Sequence, residues 1–220
     1  MSRILVFDIG DTLVPSRRFV EKVIEDELRQ RNHEPVHRFD PDKFKMYDPK
    51  EIRRYMEKYE IQGDPEKIAR KCRERYLDAF EDLMLENGVF DTLSRCNESF
   101  GKVGFISDNT IRAKNLLEKL LQKHGVDYDT VVVSDELGVE KPDPKIFRAF
   151  LDRRGQDAED FVYVGNDVAK DSAAKEIGME FIWTKEFDVV NSEYDGITVD
   201  KLSFENIQKA MERLERGANN

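Results

Sequence analysis

Short runs of β-branched and aromatic residues alternate along the chain with longer amphipathic segments. The runs contain few polar residues, which predicts strands buried on both faces. They cover residues 4–7, 103–106, 130–133, 161–164 and 180–183. Strands that alternate with helices are typical of an α/β fold, so the pattern predicts a Rossmann-like parallel sheet core flanked by helices.

Three helical patterns follow the second predicted strand. One apolar stripe covers Leu116–Leu121 and stops before Gly125, and another covers Ile146–Leu151 and stops before Gly155. Both glycines stand where a residue that ends a helix is expected. A final helix is predicted over Phe204–Leu214, where it would close one edge of the domain.

The segment after the first strand differs from the rest of the chain. Residues 15–92 contain no convincing strand and at least three amphipathic helical patterns, with apolar faces that need a partner. We expect a small inserted α-helical cap domain over the carboxyl edge of the sheet, with residues 1–14 and 93–220 forming the catalytic core. Arg31–Asp48 contains two prolines, His33 and His37, and is predicted to be an irregular loop.

Composition limits the classes of function. A chain of 220 residues suffices for one catalytic domain with a modest insertion. The net charge of −10 and the pI near 5.0 disfavour nonspecific binding to nucleic acid or to anionic membranes. An anionic substrate would therefore have to meet local positive charge or a metal ion.

The cysteines and the apolar runs bear on the compartment. Cys72 and Cys96 are the only two cysteines and form no CxxC pair, so the sequence indicates neither a zinc site nor a disulfide framework. Only four apolar residues precede Asp8, too few for a signal peptide, and no run approaches the length of a membrane span. These features favour the cytoplasm, and the sequence leaves the oligomeric state open.

Three clusters of polar residues directly follow a predicted strand, and a fourth directly precedes a predicted helix. Ligands of an open parallel sheet bind beyond the carboxyl ends of its strands, so these clusters are candidates for a site. The clusters are Asp8-Ile9-Gly10-Asp11-Thr12, Ser107-Asp108-Asn109-Thr110, Lys141-Pro142-Asp143-Pro144 and Gly165-Asn166-Asp167 with Asp171.

In this order, and with a helical insertion between the first two, the clusters resemble the four motifs of the haloacid dehalogenase-like hydrolases. The match spans most of the chain. The resemblance implies that Asp8 is a covalent nucleophile and that Ser107 and Lys141 hold a phosphoryl group. It also implies substrate binding by the residues that follow Ser107, which are Asp108 and Asn109.

The resemblance also implies a Mg²⁺ cofactor. An acidic pair in the last motif holds the ion in this family, which corresponds to Asp167 and Asp171, together with Asp8 and the backbone carbonyl of Gly10. Carboxylates four residues apart share one face of a helix, and hard oxygen ligands are those that Mg²⁺ prefers. The alternative is that the pair only complements the dipole of a helix N-terminus.

Each remaining residue has a simpler structural alternative. A strand-end aspartate such as Asp8 often caps a helix or forms a turn. Ser107 or Asn109 can cap the helix that follows, and capping is compatible with binding phosphate at that helix N-terminus. Lys141, before Pro142, can be an ordinary surface lysine.

Two positions depart from the family pattern. Phosphatases of this superfamily usually have an aspartate that serves as general acid and base two residues after the nucleophile, where this chain has Gly10. Asp11, water, the leaving group or a cap residue would have to replace it. An aspartate also usually follows the glycine of the last motif, where this chain has Asn166, so either Asn166 or Asp167 is expected to ligate the metal.

The sequence therefore predicts a Mg²⁺-dependent phosphatase that acts on a small phosphorylated metabolite through an aspartyl-phosphate on Asp8. One alternative is a 2-haloacid dehalogenase that uses the same nucleophile without metal. Another is a non-catalytic binding protein on the same fold. Substrate choice is expected to depend on the cap, where the candidate residues are Arg17, Arg18, His33, His37 and Tyr47.

Overall fold

A computed structural model describes residues 3–31, 49–187 and 192–217. The chain divides into two compact units. The first comprises Met1–Val14 and Leu83–Asn220, and the second comprises Pro15–Asp82. The second unit begins where the inserted domain was expected and ends ten residues earlier, at residue 82 rather than 92. Its function as a cap stays a prediction.

A parallel sheet forms the core of the first unit, as the apolar runs predicted. The described residues form six strands: β1 Ile4–Phe7, β2 Val103–Ser107, β3 Tyr128–Val133, β4 Phe161–Gly165, β5 Glu180–Thr184 and β6 Ile197–Val199. All neighbouring pairs are parallel. The sequence did not predict β6, because three residues are too few to show a repeating pattern.

The order of the strands determines where a site can form. Neighbours follow the order β3-β2-β1-β4-β5-β6, so the chain leaves β1 toward one edge and later returns to its other side as β4. The carboxyl ends of β1 and β4 therefore flank the point at which the strand order reverses. Ligands of doubly wound sheets bind in the crevice at such a point.

Helices pack along the sheet of the first unit. They are α4 Val89–Phe100, α5 Ile111–Lys123, α6 Ser134–Leu137, α7 Pro144–Arg154, α8 Val168–Asp171 and α9 Phe204–Gly217. The predicted stripes are confirmed in α5, α7 and α9. Two 3₁₀ segments cover residues 158–160 and 172–177.

Helix α7 packs closely against the sheet. A Cβ atom at Gly104 would lie 2.4 Å from the ring of Phe150, so only glycine allows this approach between β2 and α7. The Phe150 ring also meets the ring of Phe161 edge to face. This packing holds α7, which follows Lys141, against β2, which ends at Ser107.

The second unit is helical, as its amphipathic patterns predicted. It contains α1 Ser16–Arg29, α2 Pro49–Lys58 and most of α3 Pro65–Glu86. Apolar residues of these helices are buried, for example Ile52, Met56 and Cys72. Most of the predicted loop, with His33, His37 and Tyr47, lies outside the described residues. None of the helices in the described part of the chain is long and apolar enough to cross a membrane.

Candidate active site

Asp8 occupies the carboxyl end of β1 and is almost fully buried. Its backbone N–H donates to the carbonyl of Val164 at 2.9 Å, which ties the residue to the end of β4. Oδ1 accepts a hydrogen bond from Lys141 Nζ at 2.8 Å, and Oδ2 accepts from Thr12 Oγ1 at 3.3 Å. The carboxylate is therefore held from both sides at the point where the strand order reverses.

Lys141 lies at the centre of a buried cluster of charges. Its ammonium donates to Asp8 Oδ1 at 2.8 Å, to Asp171 Oδ1 at 2.7 Å and to the hydroxyl of Tyr163 at 3.1 Å. Because Asp8 Oδ1 and Asp171 Oδ1 both accept from the same nitrogen, these two oxygens lie close to each other. Residues from the first, third and fourth motifs thus converge on one atom.

Burial and charge together set the protonation of this cluster. Burial alone would lower the pKa of Lys141, but the adjacent carboxylates of Asp171 and Asp8 raise it well above its ordinary value. Burial raises the pKa of Asp171 to about 6, and the nearby Asp8 adds to that shift while Lys141 opposes it. We conclude that near neutral pH Lys141 is an ammonium ion.

Sequence reasoning missed Tyr163, which completes the cluster from the middle of β4. Its hydroxyl donates to the carbonyl of Ile106 at 2.8 Å and accepts from Lys141. A tyrosine inside an otherwise apolar strand buried on both faces was the available signal, because a buried phenolic hydroxyl needs a hydrogen-bond partner.

The loop after β4 carries the last motif. Asp171 is fully buried, and its Oδ2 accepts from the backbone N–H of Asp167 at 2.9 Å. A Cβ atom at Gly165 would lie 2.2 Å from that same oxygen, so the close approach of Asp171 requires glycine at this position. Asp167 caps α8, because its Oδ1 accepts from the backbone N–H of Lys170 at 3.2 Å.

The side chain of Asn166 lies on the Asp8 side of this loop. Its Oδ1 is 3.2 Å from Thr12 Oγ1, the hydroxyl that also contacts Asp8. Its backbone carbonyl accepts from the indole N–H of Trp183 at 2.9 Å, which holds the loop against β5. Neither Thr12 nor Trp183 was assigned a role from the sequence.

The second motif contributes Ser107, at the end of β2, and Asp108, which bonds to two other loops. Ser107 is the last residue of β2 and is buried. Asp108 Oδ1 accepts from the backbone N–H of Lys141, and Asp108 Oδ2 accepts from Lys170 Nζ, both at 2.8 Å. Asp108 therefore bonds with the chain itself through both oxygens.

Helix α5 is capped by Thr110, whose Oγ1 accepts from the backbone N–H of Ala113 at 3.2 Å. The alternative in which Ser107 or Asn109 caps this helix is wrong, since the capping residue must directly precede the first helical turn. The backbone carbonyl of Asn109 instead accepts from the backbone N–H of Asp135.

The first motif turns sharply after Asp8. Gly10 pairs with Val14 in an isolated parallel bridge. Asp11 is buried and has a φ of 56°, a left-handed conformation that aspartate tolerates better than most residues. Its backbone N–H donates to the carbonyl of Val14 at 2.9 Å.

The charges of the site favour a divalent cation. In the described part of the chain, the hydrogen bonds of this cluster connect four carboxylates, on Asp8, Asp108, Asp167 and Asp171, with two lysines, Lys141 and Lys170. Thr12 has a single hydroxyl proton, so it can fully satisfy only one of the oxygens of Asp8 and Asn166. These oxygens are hard ligands of the kind that Mg²⁺ prefers, so the residues fit such an ion.

Lys141 affects how this site would hold a metal. No three acidic, histidine or cysteine side chains among the described residues are already arranged to coordinate a metal ion. The ammonium lies between Asp8 and Asp171, which keeps the facing oxygens of those two carboxylates on Lys141. The oxygens on the other side of Asp8 and on Asn166 are the better placed donors.

Known proteins resemble this chain in sequence and in fold. The chain is 31% identical over 185 residues to a glyceraldehyde 3-phosphate phosphatase of Methanopyrus kandleri, a match that covers 78% of each protein. It is 25% identical over 185 residues to a phosphoglycolate phosphatase of Aquifex aeolicus, covering 80% of this chain and 81% of that protein.

The crystal structure of the HAD-hydrolase YfnB of Bacillus subtilis, bound to magnesium, has a similar fold. It superposes with a TM-score of 0.68 at 16% identity and covers 96% of this chain and 99% of that one. The sequence profile of the family described as haloacid dehalogenase-like hydrolase matches residues 5–184, which include all four motifs. The chain therefore belongs to the haloacid dehalogenase-like hydrolase family.

Proposed function

We propose that this protein is a Mg²⁺-dependent phosphatase that hydrolyses a small phosphorylated metabolite through an aspartyl-phosphate on Asp8. The observation that carries the proposal is the buried Asp8 carboxylate at the end of β1, held between Lys141 and Thr12. The relatives named for glyceraldehyde 3-phosphate and phosphoglycolate support a phosphate monoester on a short carbon chain as the substrate class.

In the first half-reaction, an oxygen of Asp8 attacks phosphorus, and the bond between phosphorus and the leaving oxygen breaks. The leaving oxygen takes a proton from water, so the products are an alcohol and an acyl phosphate on Asp8, and the proton is restored when a second water molecule attacks in the next step. The Lys141 ammonium and the Ser107 hydroxyl stabilise the charge on the phosphoryl oxygens as it redistributes. Asn109 contacts the substrate from the same loop.

In the second half-reaction, water attacks the phosphorus of the acyl phosphate, inorganic phosphate leaves and Asp8 is restored. The buried position of Lys141 strengthens its attraction to the phosphoryl group, because little water screens the charges there. Tyr163 keeps the ammonium directed toward Asp8 through a hydrogen bond.

Asp8, the backbone carbonyl of Gly10 and Asn166 would hold Mg²⁺, and Asp171 would join them through an oxygen that Lys141 or the backbone N–H of Asp167 releases, with Asp167 acting mainly as the cap of α8. The ion would offset the repulsion between the carboxylate nucleophile and the anionic phosphoryl group. The contacts of Asn166 and Asp167 support this division of roles, since Asn166 shares Thr12 with Asp8 while Asp167 Oδ1 accepts from a backbone N–H.

Substitutions at the two neighbouring positions separate these roles. We expect Asn166→Ala to raise the Kd for Mg²⁺ by roughly tenfold, because a coordinating oxygen is lost. We expect Asp167→Asn to change it by less than about threefold, because asparagine caps a helix as well as aspartate does. Isothermal titration calorimetry of both variants measures this difference, and a larger loss of affinity in Asp167→Asn would assign the metal to Asp167.

Two alternative functions differ from this proposal in the product that would be released. A 2-haloacid dehalogenase would use Asp8 against carbon and release halide without a metal. A binding protein on this fold would release neither product. The excess of carboxylates around Asp8 fits a divalent cation, which a dehalogenase does not use. Together with the similarity to proteins named as phosphatases, it favours the phosphatase.

The experiment that tests the function is an assay of phosphate and halide release. A panel of short phosphorylated sugars and acids, together with 2-haloacids, is incubated with Mg²⁺ or with EDTA. We expect phosphate release that falls at least about 100-fold in EDTA and returns when Mg²⁺ is added in excess. Halide release in EDTA would establish the dehalogenase, and release of neither product would leave the binding function.

Localisation in the cytoplasm belongs to the same proposal. Cys72 and Cys96 are both free and buried, and burial raises the pKa of each thiol to about 12. Thiols in this state are unreactive and suit a reducing compartment.

A further inference from the structure

We infer that Asp108 is a positioning residue, which together with Lys170 holds the Lys141 loop and the loop after β4 in their working arrangement. This inference rests on the proposed function, because it concerns how that site is kept in order. It replaces the expectation that the Asp108 side chain binds substrate.

The contacts of Asp108 carry the inference. One oxygen accepts from the backbone N–H of Lys141 and the other from Lys170 Nζ, each at 2.8 Å. The side chain of Asp108 is only 17% exposed. A substrate hydroxyl would have to share an oxygen with one of these donors, both of which belong to loops that carry the proposed chemistry.

The hydrogen bond from the backbone N–H of Lys141 to Asp108 fixes the main chain at Lys141, whose side chain contacts Asp8 and Asp171. A buried ammonium with three partners tolerates little movement, because each hydrogen bond weakens steeply outside its normal distance and angle. A shift of about 1 Å in a reacting group can cost about 100-fold in rate. The loop after β2 thus sets the position of Lys141 on the neighbouring loop.

Lys170 links the same carboxylate to the last motif. It lies in α8 between Asp167 and Asp171, and its backbone N–H is capped by Asp167. The Asp108–Lys170 pair therefore joins the loop after β2 to the loop after β4 across 62 positions of the sequence.

The pair also balances charge beside the phosphoryl site. Asp108 directly follows Ser107, the residue proposed to contact the phosphoryl group, and an unpaired carboxylate there would repel the substrate. Lys170 neutralises that carboxylate. The structure thereby accounts for an acidic residue in a loop that faces an anion.

Four variants test the inference by steady-state kinetics: Lys170→Met, Asp108→Asn, the double variant and Lys114→Met. In Lys170→Met the Asp108 charge is left unpaired, so we expect KM for the phosphorylated substrate to rise about tenfold. In the double variant that charge is gone, so KM should return to within about threefold of the wild-type value, while kcat should stay at least about tenfold below it because the tie between the two loops is lost. A pair that only adds stability would leave kcat of the double variant at the wild-type value.

Lys114→Met is the matched control. Lys114 Nζ pairs with Glu136 at 2.7 Å in α5 and α6, an ion pair of the same kind in the same unit. We expect its KM to be unchanged. If Asp108 binds substrate directly, Asp108→Asn raises KM as much as the double variant does and Lys170→Met has little effect, which would overturn the inference.

Hydrogen exchange gives a measurement that does not depend on activity. In Asp108→Ala the amide of Lys141 should lose at least about tenfold of its protection, whereas Lys114→Met should leave it unchanged. Unchanged protection in Asp108→Ala would refute the inference even in an active enzyme. If Asp108→Ala loses this protection but the wild-type protein releases no phosphate from any substrate, the proposed function is refuted and the inference stands.

Discussion

Replacing the proposed nucleophile, Asp8→Asn, is expected to abolish phosphate release while the protein stays folded. The amide has nearly the same shape as the carboxylate but is a very poor nucleophile, so kcat should fall by at least about 10⁴-fold. The measurement is phosphate release under single-turnover conditions, with mass spectrometry of the acid-quenched protein to detect phosphate on residue 8 of the wild type.

The charge cluster makes a second, independent prediction for this variant. Lys141 now lies between two carboxylates, and Asp8→Asn leaves it paired with Asp171 alone. One negative charge then faces one positive charge, so we expect the free energy of unfolding to fall by less than about 1 kcal/mol. Urea denaturation checks this value.

A matched control is Asp91→Asn, which makes the same chemical change on an exposed position in the first turn of α4. Its kcat should equal that of the wild type. Residual turnover of Asp8→Asn near the wild-type rate, or phosphate found on another residue, would remove Asp8 from the mechanism.

The sequence predicted the fold because two of its signals are local. An apolar run in a parallel sheet is buried on both faces, so composition alone reveals the strand, and the polar residue that follows it marks the carboxyl end. Asp8 and Ser107 were found in this way. The three-residue strand β6 is too short to show an apolar run, so the polar residue that follows it, Asp200, marks nothing by itself.

The site was harder to predict where it depends on pairs that are distant in the chain. Asp108 looked like a ligand for substrate because it follows Ser107, yet both of its oxygens bind the protein. Lys170 and Tyr163 reach the site only because β4 returns beside β1, a fact of strand order that no local pattern contains. Sequence motifs thus indicated which residues lie at the carboxyl ends of the strands but not which distant residues contact them.

Removal of the central ammonium, Lys141→Met, is expected to lower both activity and stability. Asp8 and Asp171 would then face each other while buried and without a positive partner. Breaking a buried ion pair by removing one partner typically costs about 3–5 kcal/mol, which corresponds to a fall in Tm of roughly 10 °C for a protein of this size. Phosphate release should fall by at least about 100-fold, because a preorganised charge on the phosphoryl oxygens is lost.

The response of this variant to Mg²⁺ tests the metal site without any turnover. The same two carboxylates would be left with a stronger need for a cation, so Mg²⁺ should raise the Tm of Lys141→Met by more than it raises that of the wild type. Thermal unfolding with Mg²⁺ and with EDTA measures both shifts. The control is Lys114→Met, which removes a lysine from an ion pair elsewhere in the same unit and should show the wild-type shift.

The opposite result would be equally informative. If Mg²⁺ raises the Tm of Lys141→Met no more than that of Lys114→Met, Lys141 and the ion do not offset the same charge. If it raises the Tm of neither variant, Asp8 and Asp171 bind no cation and the metal-dependent mechanism is wrong. A larger shift would mean that Lys141 and the ion offset the same negative charge. That balance would explain how one buried site contains a carboxylate nucleophile and still admits an anionic substrate.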